Sequence, residues 1–346
     1  MAYCAAMGLF RKSDPKAQQA GAIADFWQWW SQARGEITAS ISNGKAEQQA
    51  RAISPRVAAI HRDLSWELTK GTAASHGLVV TAAGDPKLRA AAYRWLAAAP
   101  PADGTWEYHA ARPASPAVFS SKLGIGGAML DMEQMVYAVT VEKDRRCVNV
   151  VCHHPEFVNL PDEVQGQVSF LSLDWLLGEE QVEIWLGTIE WSAAALFAPR
   201  TPSDLRYAVD AITADDSWAV MSAQGRDGLP HMALVSQPLR SARWPRFDQH
   251  VAVTLPYQRL TEVGLPADES LQALRALEDS LTEAAGADAA LVAHETVKGR
   301  RTLHFYADSH SDAADRIKAL APRWAEGQAG VDVGHDPGLE RVQHLR

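Results

Sequence analysis

The sequence predicts an α+β protein of two domains, and three observations support this prediction. The chain has 346 residues, whereas a single domain usually has roughly 100–200. Hydrophobic residues make up 47% of the chain and charged residues 22%, which is typical of a globular protein with a buried core. Apolar residues recur with the helical period in some segments and alternate in others, so both helices and strands are expected.

The first domain is predicted over residues 16–200, after a flexible leader over residues 1–15. It begins with helices, because Trp27 and Trp30 share the apolar face of a helical pattern that is expected to end near Gly35. Farther along, apolar and polar residues alternate as they do in half-buried strands. The first domain is therefore predicted to consist of helices followed by a mainly antiparallel sheet.

The second domain is predicted over residues 214–346. Within it, the pattern over residues 250–335 gives the order strand, helix, strand, strand, helix, strand. Asp268 is expected to cap the first of these helices, over about residues 269–285, and Gly286 to end it, and Ser311 is expected to cap the second. This β-α-β-β-α-β order predicts a ferredoxin-like fold, in which two helices cover one face of a four-stranded antiparallel sheet.

Charge and cysteine content argue against several classes of function. The 42 acidic residues exceed the 33 basic ones, and the net charge of −9 opposes attraction of the whole surface to nucleic acid or an anionic membrane. The three cysteines are too few and too odd in number for a disulfide framework, which fits a reducing compartment. No segment approaches the roughly 20 apolar residues that span a bilayer, and the N-terminus is a poor signal peptide. A cytoplasmic location is expected.

Three stretches of sequence resemble a known family. They are Asp25–Trp30 (DFWQWW), Leu78–Asp85 (LVVTAAGD) and, most specifically, the motifs within Gly264–Tyr306. The C-terminal part resembles bacterial proteins that carry the domain of unknown function 695 (DUF695), and it is distantly similar to RraB-like regulators of ribonuclease E. This resemblance implies a binding or regulatory role through a protein partner, and it supplies no catalytic residues.

Two motifs contain the residue types of ligand sites but at unsuitable spacings. Cys147, Cys152, His153 and His154 could supply zinc ligands, yet two residues five apart on a strand point to opposite faces. The glycine-rich stretch over residues 123–127 lacks the third glycine and the lysine of phosphate-binding loops. We therefore expect neither a metal nor a cofactor.

Basic residues interleaved with aromatic ones form the candidate contact site. The candidate residues are Arg240, Arg243, Trp244, Arg246, Arg300 and Arg301. The first four lie in one loop, which is typical of a single-stranded nucleic-acid platform or of a site for an anionic partner. The last two lie at a predicted hairpin tip. The alternative interpretation is a solvated loop with Trp244 in the core.

Three functions remain open at this point. The lack of a catalytic constellation favours a non-enzymatic binding or regulatory module that acts through a protein partner. The first alternative is a hydrolase that uses carboxylates or a metal, although acid pairs such as Glu179 and Glu180 are expected to be solvated surface charges. The second alternative is a weak nucleic-acid binder that uses the 240–246 loop. No catalytic residue is assigned, and the oligomeric state is left open.

Overall fold

The computed structural model describes residues 14–213, 217–225 and 228–346, which form a mixed α+β protein as predicted. The predicted leader lies outside the described residues as far as residue 13. The helices are α1 (Pro15–Ser42), α2 (Ala50–Ile60), α3 (Pro86–Ala97), α4 (Asp162–Leu177), α5 (Glu179–Trp185), α6 (Pro202–Thr213), α7 (Asp268–Ala285) and α8 (Ala313–Leu320). None of these described helices is both long and apolar enough to cross a membrane.

The strands of the described residues belong to four sheets. They are β1 (Ser65–Lys70), β2 (His76–Thr81), β3 (Trp106–His109), β4 (Lys122–Ile125), β5 (Ala128–Asp131), β6 (Val136–Glu142), β7 (Cys147–His153), β8 (Leu186–Trp191), β9 (Ser217–Gln224), β10 (Pro230–Gln237), β11 (Gln249–Pro256), β12 (Ala289–Val297), β13 (Arg300–Ala307) and β14 (Gly330–His335). Strands β1–β3 form one three-stranded sheet, β6–β8 form another, and β4 pairs with β5 as a hairpin. The last six strands form the largest sheet.

The two three-stranded sheets have the same connectivity. In each, the first two strands form an antiparallel hairpin, and a helical crossover leads to a third strand that pairs in parallel with the second. The crossover is α3 in the first sheet and α4 with α5 in the second. The sequence had predicted a single, mainly antiparallel sheet here. The structure instead has these two sheets, each with its own core, and the separate β4–β5 hairpin. The prediction missed this division because periodicity identifies strands but not their pairing partners.

Helix α1 continues to Ser42, so the prediction that it ends near Gly35 is wrong. Beyond the glycine, Ile37 is buried in the first core. The hydroxyl of Thr38 accepts a hydrogen bond from Trp106 Nε1 at 2.9 Å. These tertiary contacts offset the cost of about 1 kcal/mol for a glycine within a helix.

The large sheet has the strand order β14-β11-β13-β12-β10-β9, and every neighbouring pair is antiparallel. From β11 to β14 the chain order is strand, helix, strand, strand, helix, strand. Leu281 of α7 and Ile317 of α8 pack with Phe305 of β13 in one core. A second cluster includes Val342 and Leu345 of the C-terminal segment, which also pack on this sheet.

Candidate functional site

A cavity of about 410 Å³ lies between the second three-stranded sheet and the loop that follows β10. Its volume is in the range of roughly 300–1,000 Å³ that is common for small-molecule sites. Strands β7 and β8 contribute Cys147, Asn149 and Thr188 to the lining, and the end of β10 and its loop contribute Gln237 and Arg240. The cavity is therefore built from segments of both halves of the chain.

The loop after β10 is held in place by buried contacts on both sides. Gln237 ends β10 and pairs with Ser217 of β9. Four residues later, the hydroxyl of Ser241 accepts a hydrogen bond from Arg89 Nη1 of α3 at 2.8 Å. Ala242 is buried next to it. The position of Arg240 is fixed because it lies between these anchored residues.

Three guanidinium groups line the cavity. Arg145 comes from the turn between β6 and β7, Arg240 from the loop after β10, and Arg346 from the C-terminus. Arg240 Nη2 has a single weak contact, to Leu186 O at 3.5 Å, and Arg346 Nη2 donates to Gly338 O at 2.6 Å. Within the described part of the chain, no carboxylate lies at ion-pair distance from any of the three groups. The cavity thus gathers positive charge without an opposing ion pair.

The electrostatics of the cavity favour an anion. Among the described residues, one carboxylate side chain lines it, that of Glu142, which accepts a hydrogen bond from Asn149 Nδ2 at 3.3 Å and is outnumbered by the three guanidinium groups. Burial lowers the pKa of Arg346, and the nearby Arg240 guanidinium lowers it further. Guanidinium groups form strong, directional hydrogen bonds to carboxylates and phosphates. An anionic ligand therefore suits this cavity better than a cation.

The thiol in the cavity is not activated. Burial raises the pKa of the Cys147 thiol, although the charge of Arg240 partly opposes this effect. The thiol therefore stays protonated at neutral pH, and a protonated thiol is a poor nucleophile. Cys147 contributes a wall of the cavity rather than a reactive group.

The candidate residues of the 240–246 loop separate into different environments. Arg240 lines the cavity. Arg243 Nη1 donates to Ser236 Oγ at 3.0 Å, and its guanidinium lies 4.7 Å from the ring of Trp244, which is partly buried against the core. Arg246 lies 3.6 Å from Asp288 and takes part in a different ion-pair group. The loop does not present one continuous basic surface.

The two arginines of the predicted hairpin tip also differ from each other. Arg300 is exposed, whereas Arg301 is buried. Arg301 Nε donates to Thr296 Oγ1 at 3.1 Å, and its Nη1 lies 3.9 Å from Glu278. Neither residue lines the arginine-containing cavity. The tertiary structure instead brings Arg145 and Arg346 to Arg240, and no local motif marks them because the three lie far apart in the sequence.

The cysteine and histidine residues considered as zinc ligands diverge in the structure. Cys147 lines the cavity, and Cys152 is fully buried in the second core. His153 Nδ1 lies 2.8 Å from Ser192 O, and His154 Nε2 lies 2.9 Å from Asp131 O. Among residues 14–213, 217–225 and 228–346, no group of three or more potential ligands could hold a metal ion.

A network of histidines around one carboxylate was not identified from the sequence. Glu295 of β12 accepts hydrogen bonds from His231 at 2.6 Å and from His304 and His344 at 2.9 Å. Burial raises the pKa of Glu295, but hydrogen bonds and charge from His304 and His344 outweigh burial and lower the pKa to about 2. His344 belongs to the segment that ends at Arg346. We therefore interpret the network as a set of contacts that hold this segment against β12.

The expectation that Glu179 is a solvated surface charge is wrong. Its side chain is buried at the start of α5. Thr81 Oγ1 donates to it at 2.8 Å and the backbone N of Arg112 donates at 2.9 Å. Glu179 is buried because the junction of α4 and α5 packs against the end of β2. No local sequence pattern reveals this long-range contact.

Comparison with known proteins gave one family match, which lies in the C-terminal half of the chain. No curated protein matches the chain. Residues 216–338 match the model of a family described as a family of unknown function, DUF695, which confirms the DUF695 part of the resemblance that the C-terminal motifs indicated.

Proposed function

We propose that this protein is a non-enzymatic binding module, and that its ligand carries a carboxylate or phosphate group held by Arg240 and Arg346. One observation carries the proposal: the two guanidiniums line one cavity of about 410 Å³, close enough to lower the pKa of Arg346, and neither forms an ion pair with a described residue. Two like charges that are partly removed from water raise the free energy of the site. An anion bound between them offsets that cost.

The chemistry of the lining supports binding rather than catalysis. Beside the guanidiniums, the cavity offers the polar side chains of Gln237 and Thr188 and a protonated thiol at Cys147. Bidentate contacts between guanidinium and carboxylate or phosphate provide both affinity and orientation. A hydrolase would need an activated nucleophile or a positioned base next to the ligand, and the groups named here do not provide one.

The domain organisation is part of the same proposal. We propose that residues 214–346 form a ferredoxin-like domain and residues 16–200 a separate domain, with the anion held where they meet. The strand order β14-β11-β13-β12 and the packing of α7 and α8 in a common core support the ferredoxin-like assignment. We further propose, from the resemblance of the sequence motifs to RraB-like regulators, that a protein partner senses the ligand-bound form.

The test is isothermal titration of the full chain with inorganic phosphate, succinate and citrate. We expect at least one of these anions to bind, and we expect Arg240→Gln to weaken it by about tenfold, which equals about 1.4 kcal/mol. Arg300→Gln is the matched control, because Arg300 is exposed and outside the cavity. Equal affinity in the Arg240→Gln variant, or no binding by any of the three anions, would overturn the proposal.

A protein partner that adds a strand to the large sheet is the second candidate. Strand β9 is an edge strand of this sheet, and its Trp218 and Val220 side chains are 43% and 70% exposed. An exposed edge with apolar side chains can pair with an extended segment of another protein. The test is affinity capture from the host lysate, in which one stoichiometric partner should be lost with Val220→Lys and kept with Arg300→Gln.

A further inference from the structure

A second and larger cleft, of about 690 Å³, lies between the first three-stranded sheet and α4. It is bounded by β1 and the turn after it, by the connecting segment over residues 112–117, and by α4. It shares no lining residue with the arginine-containing cavity. Its volume suits a small molecule.

The connecting segment is held against α4 and α5 by specific backbone contacts. Ser115 N donates to Trp175 O at 2.8 Å, and Glu179 N donates to Arg112 O at 3.0 Å. Gly178 joins the two helices and has φ +85°. A Cβ atom on Gly178 would lie 3.1 Å from the backbone N of Ala114 in the connecting segment. Only glycine tolerates this combination of backbone angle and close approach. The wall of the cleft is therefore well defined.

The walls of the cleft are largely apolar. Pro113, Pro116, Leu171 and Trp175 contribute to the lining. The side chain of Trp175 is only partly buried against the second core. Such walls bind apolar or aromatic groups, and an exposed tryptophan face also attracts a cation.

The charges in the cleft are unevenly paired. Arg112 Nε lies 3.2 Å from Glu67, and Arg112 Nη1 lies 3.7 Å from Glu179, so two carboxylates already neutralise this guanidinium. Asp174 of α4 also lines the cleft. Among the described residues, its carboxyl group has neither a hydrogen-bond donor nor an ion-pair partner. Lys70, exposed at the end of β1, also lines the cleft. The partly buried charge that lacks an ion-pair partner among the described residues is therefore the Asp174 carboxylate.

The titration of Asp174 is consistent with this lack of a partner. Burial raises its pKa to about 6, and the charge of Glu179 raises it as well, whereas Arg112 opposes the shift. Glu183 and Glu67 raise the pKa further. A cation placed next to Asp174 would stabilise its ionised form.

We infer that this cleft binds a small molecule with an aromatic or apolar body and an ammonium group, which pairs with Asp174 while the body packs on Trp175 and Leu171. Charge complementarity determines the ligand class, because the partly buried, unpaired charge of the cleft is the Asp174 carboxylate, whereas the ammonium of Lys70 is exposed, and because the walls are apolar. The inference is independent of the anion site proposed above, since the two sites share no residue.

Isothermal titration with tryptamine, compared with the uncharged 3-ethylindole, tests the inference. At about pH 7, which is above the pKa of about 6 of Asp174 so that most of its carboxyl groups are ionised, we expect tryptamine to bind about tenfold more tightly than 3-ethylindole. Affinity for tryptamine should fall below pH 6, because protonation removes the charge of Asp174. Equal binding of both compounds, or no binding of tryptamine, would refute the inference.

Three variants complete the experiment. Asp174→Asn is nearly isosteric and should weaken tryptamine binding by about tenfold, whereas Asp210→Asn, an exposed site on α6, should leave it unchanged. Asp174→Asn should also raise the melting temperature at about pH 7, because it removes a poorly solvated charge.

Ala117→Lys, on the exposed rim of the cleft, should weaken the binding of tryptamine through charge repulsion. Unchanged affinity in both the Asp174→Asn variant and the rim variant would also exclude this site.

Discussion

Arg94 of α3 and Asp308, which follows β13, form an ion pair that joins the two halves of the chain. Arg94 Nε donates to Asp308 Oδ1 at 3.0 Å, and Arg94 Nη2 donates to Asp248 Oδ2 at 3.0 Å. The side chain of Arg94 is 11% exposed, and those of the two aspartates are 9% or less. A guanidinium and two carboxylates thus satisfy one another where water is largely excluded.

We expect Arg94→Ala to lower the free energy of unfolding by about 3–5 kcal/mol, because it removes the buried guanidinium that neutralises both carboxylates. Asp308 would keep only the longer contact to Arg246 at 4.0 Å as an ion pair. The control is Arg34→Ala, which breaks the more exposed ion pair between Arg34 and Asp103 and should cost less than about 1 kcal/mol. Urea denaturation at neutral pH measures both variants. Similar costs would mean that the Arg94 contacts contribute no more than an exposed pair.

Arg300 and Arg301 provide a comparison of neighbouring residues in different environments. Arg301→Ala should destabilise the protein by about 2–3 kcal/mol, because it leaves the buried Thr296 hydroxyl without its donor and removes the cation that lies 3.9 Å from Glu278. Arg300→Ala should change stability by less than about 0.5 kcal/mol, since this side chain is exposed. Thermal unfolding of the two variants checks the difference. A measurable loss in Arg300→Ala alone would contradict it.

Glu107 is expected to contribute stability that depends on pH. Burial raises its pKa, but hydrogen bonds from the backbone N–H groups of Thr72, Ala73 and Ala74 outweigh burial and lower the pKa to about 2. Because the folded pKa is below the ordinary value of 4.5, the stabilisation is complete above pH 4.5 and is lost as pH falls toward 2.

Glu107→Gln should therefore cost about 2 kcal/mol at neutral pH, and the difference from the unsubstituted protein should shrink between pH 4.5 and 2. Urea denaturation over this pH range measures the effect. Glu47→Gln, at an exposed position, is the control. A difference that stays constant with pH would show that Glu107 does not stabilise the turn as a carboxylate.

The candidate sites could be predicted from the sequence only in part. Arg240 was selected because basic and aromatic residues alternate around it, and this local pattern is visible without a structure. Arg145 and Arg346 carry no such pattern, and they meet Arg240 only because the second three-stranded sheet packs beside the loop after β10. Asp174 could not be selected either, because its environment depends on how the connecting segment crosses α4.

The sequence by itself determined the α+β class and the position of strongly periodic elements such as α7, whose leucines Leu274 and Leu281 repeat on one face and are buried together. These features follow from side-chain periodicity, which is a local property of the chain. Only the tertiary structure decided that α1 continues through Gly35, that two small sheets replace one, and that Glu179 is buried. Strand pairing and burial depend on contacts between residues far apart in the chain, and no short window of sequence contains them.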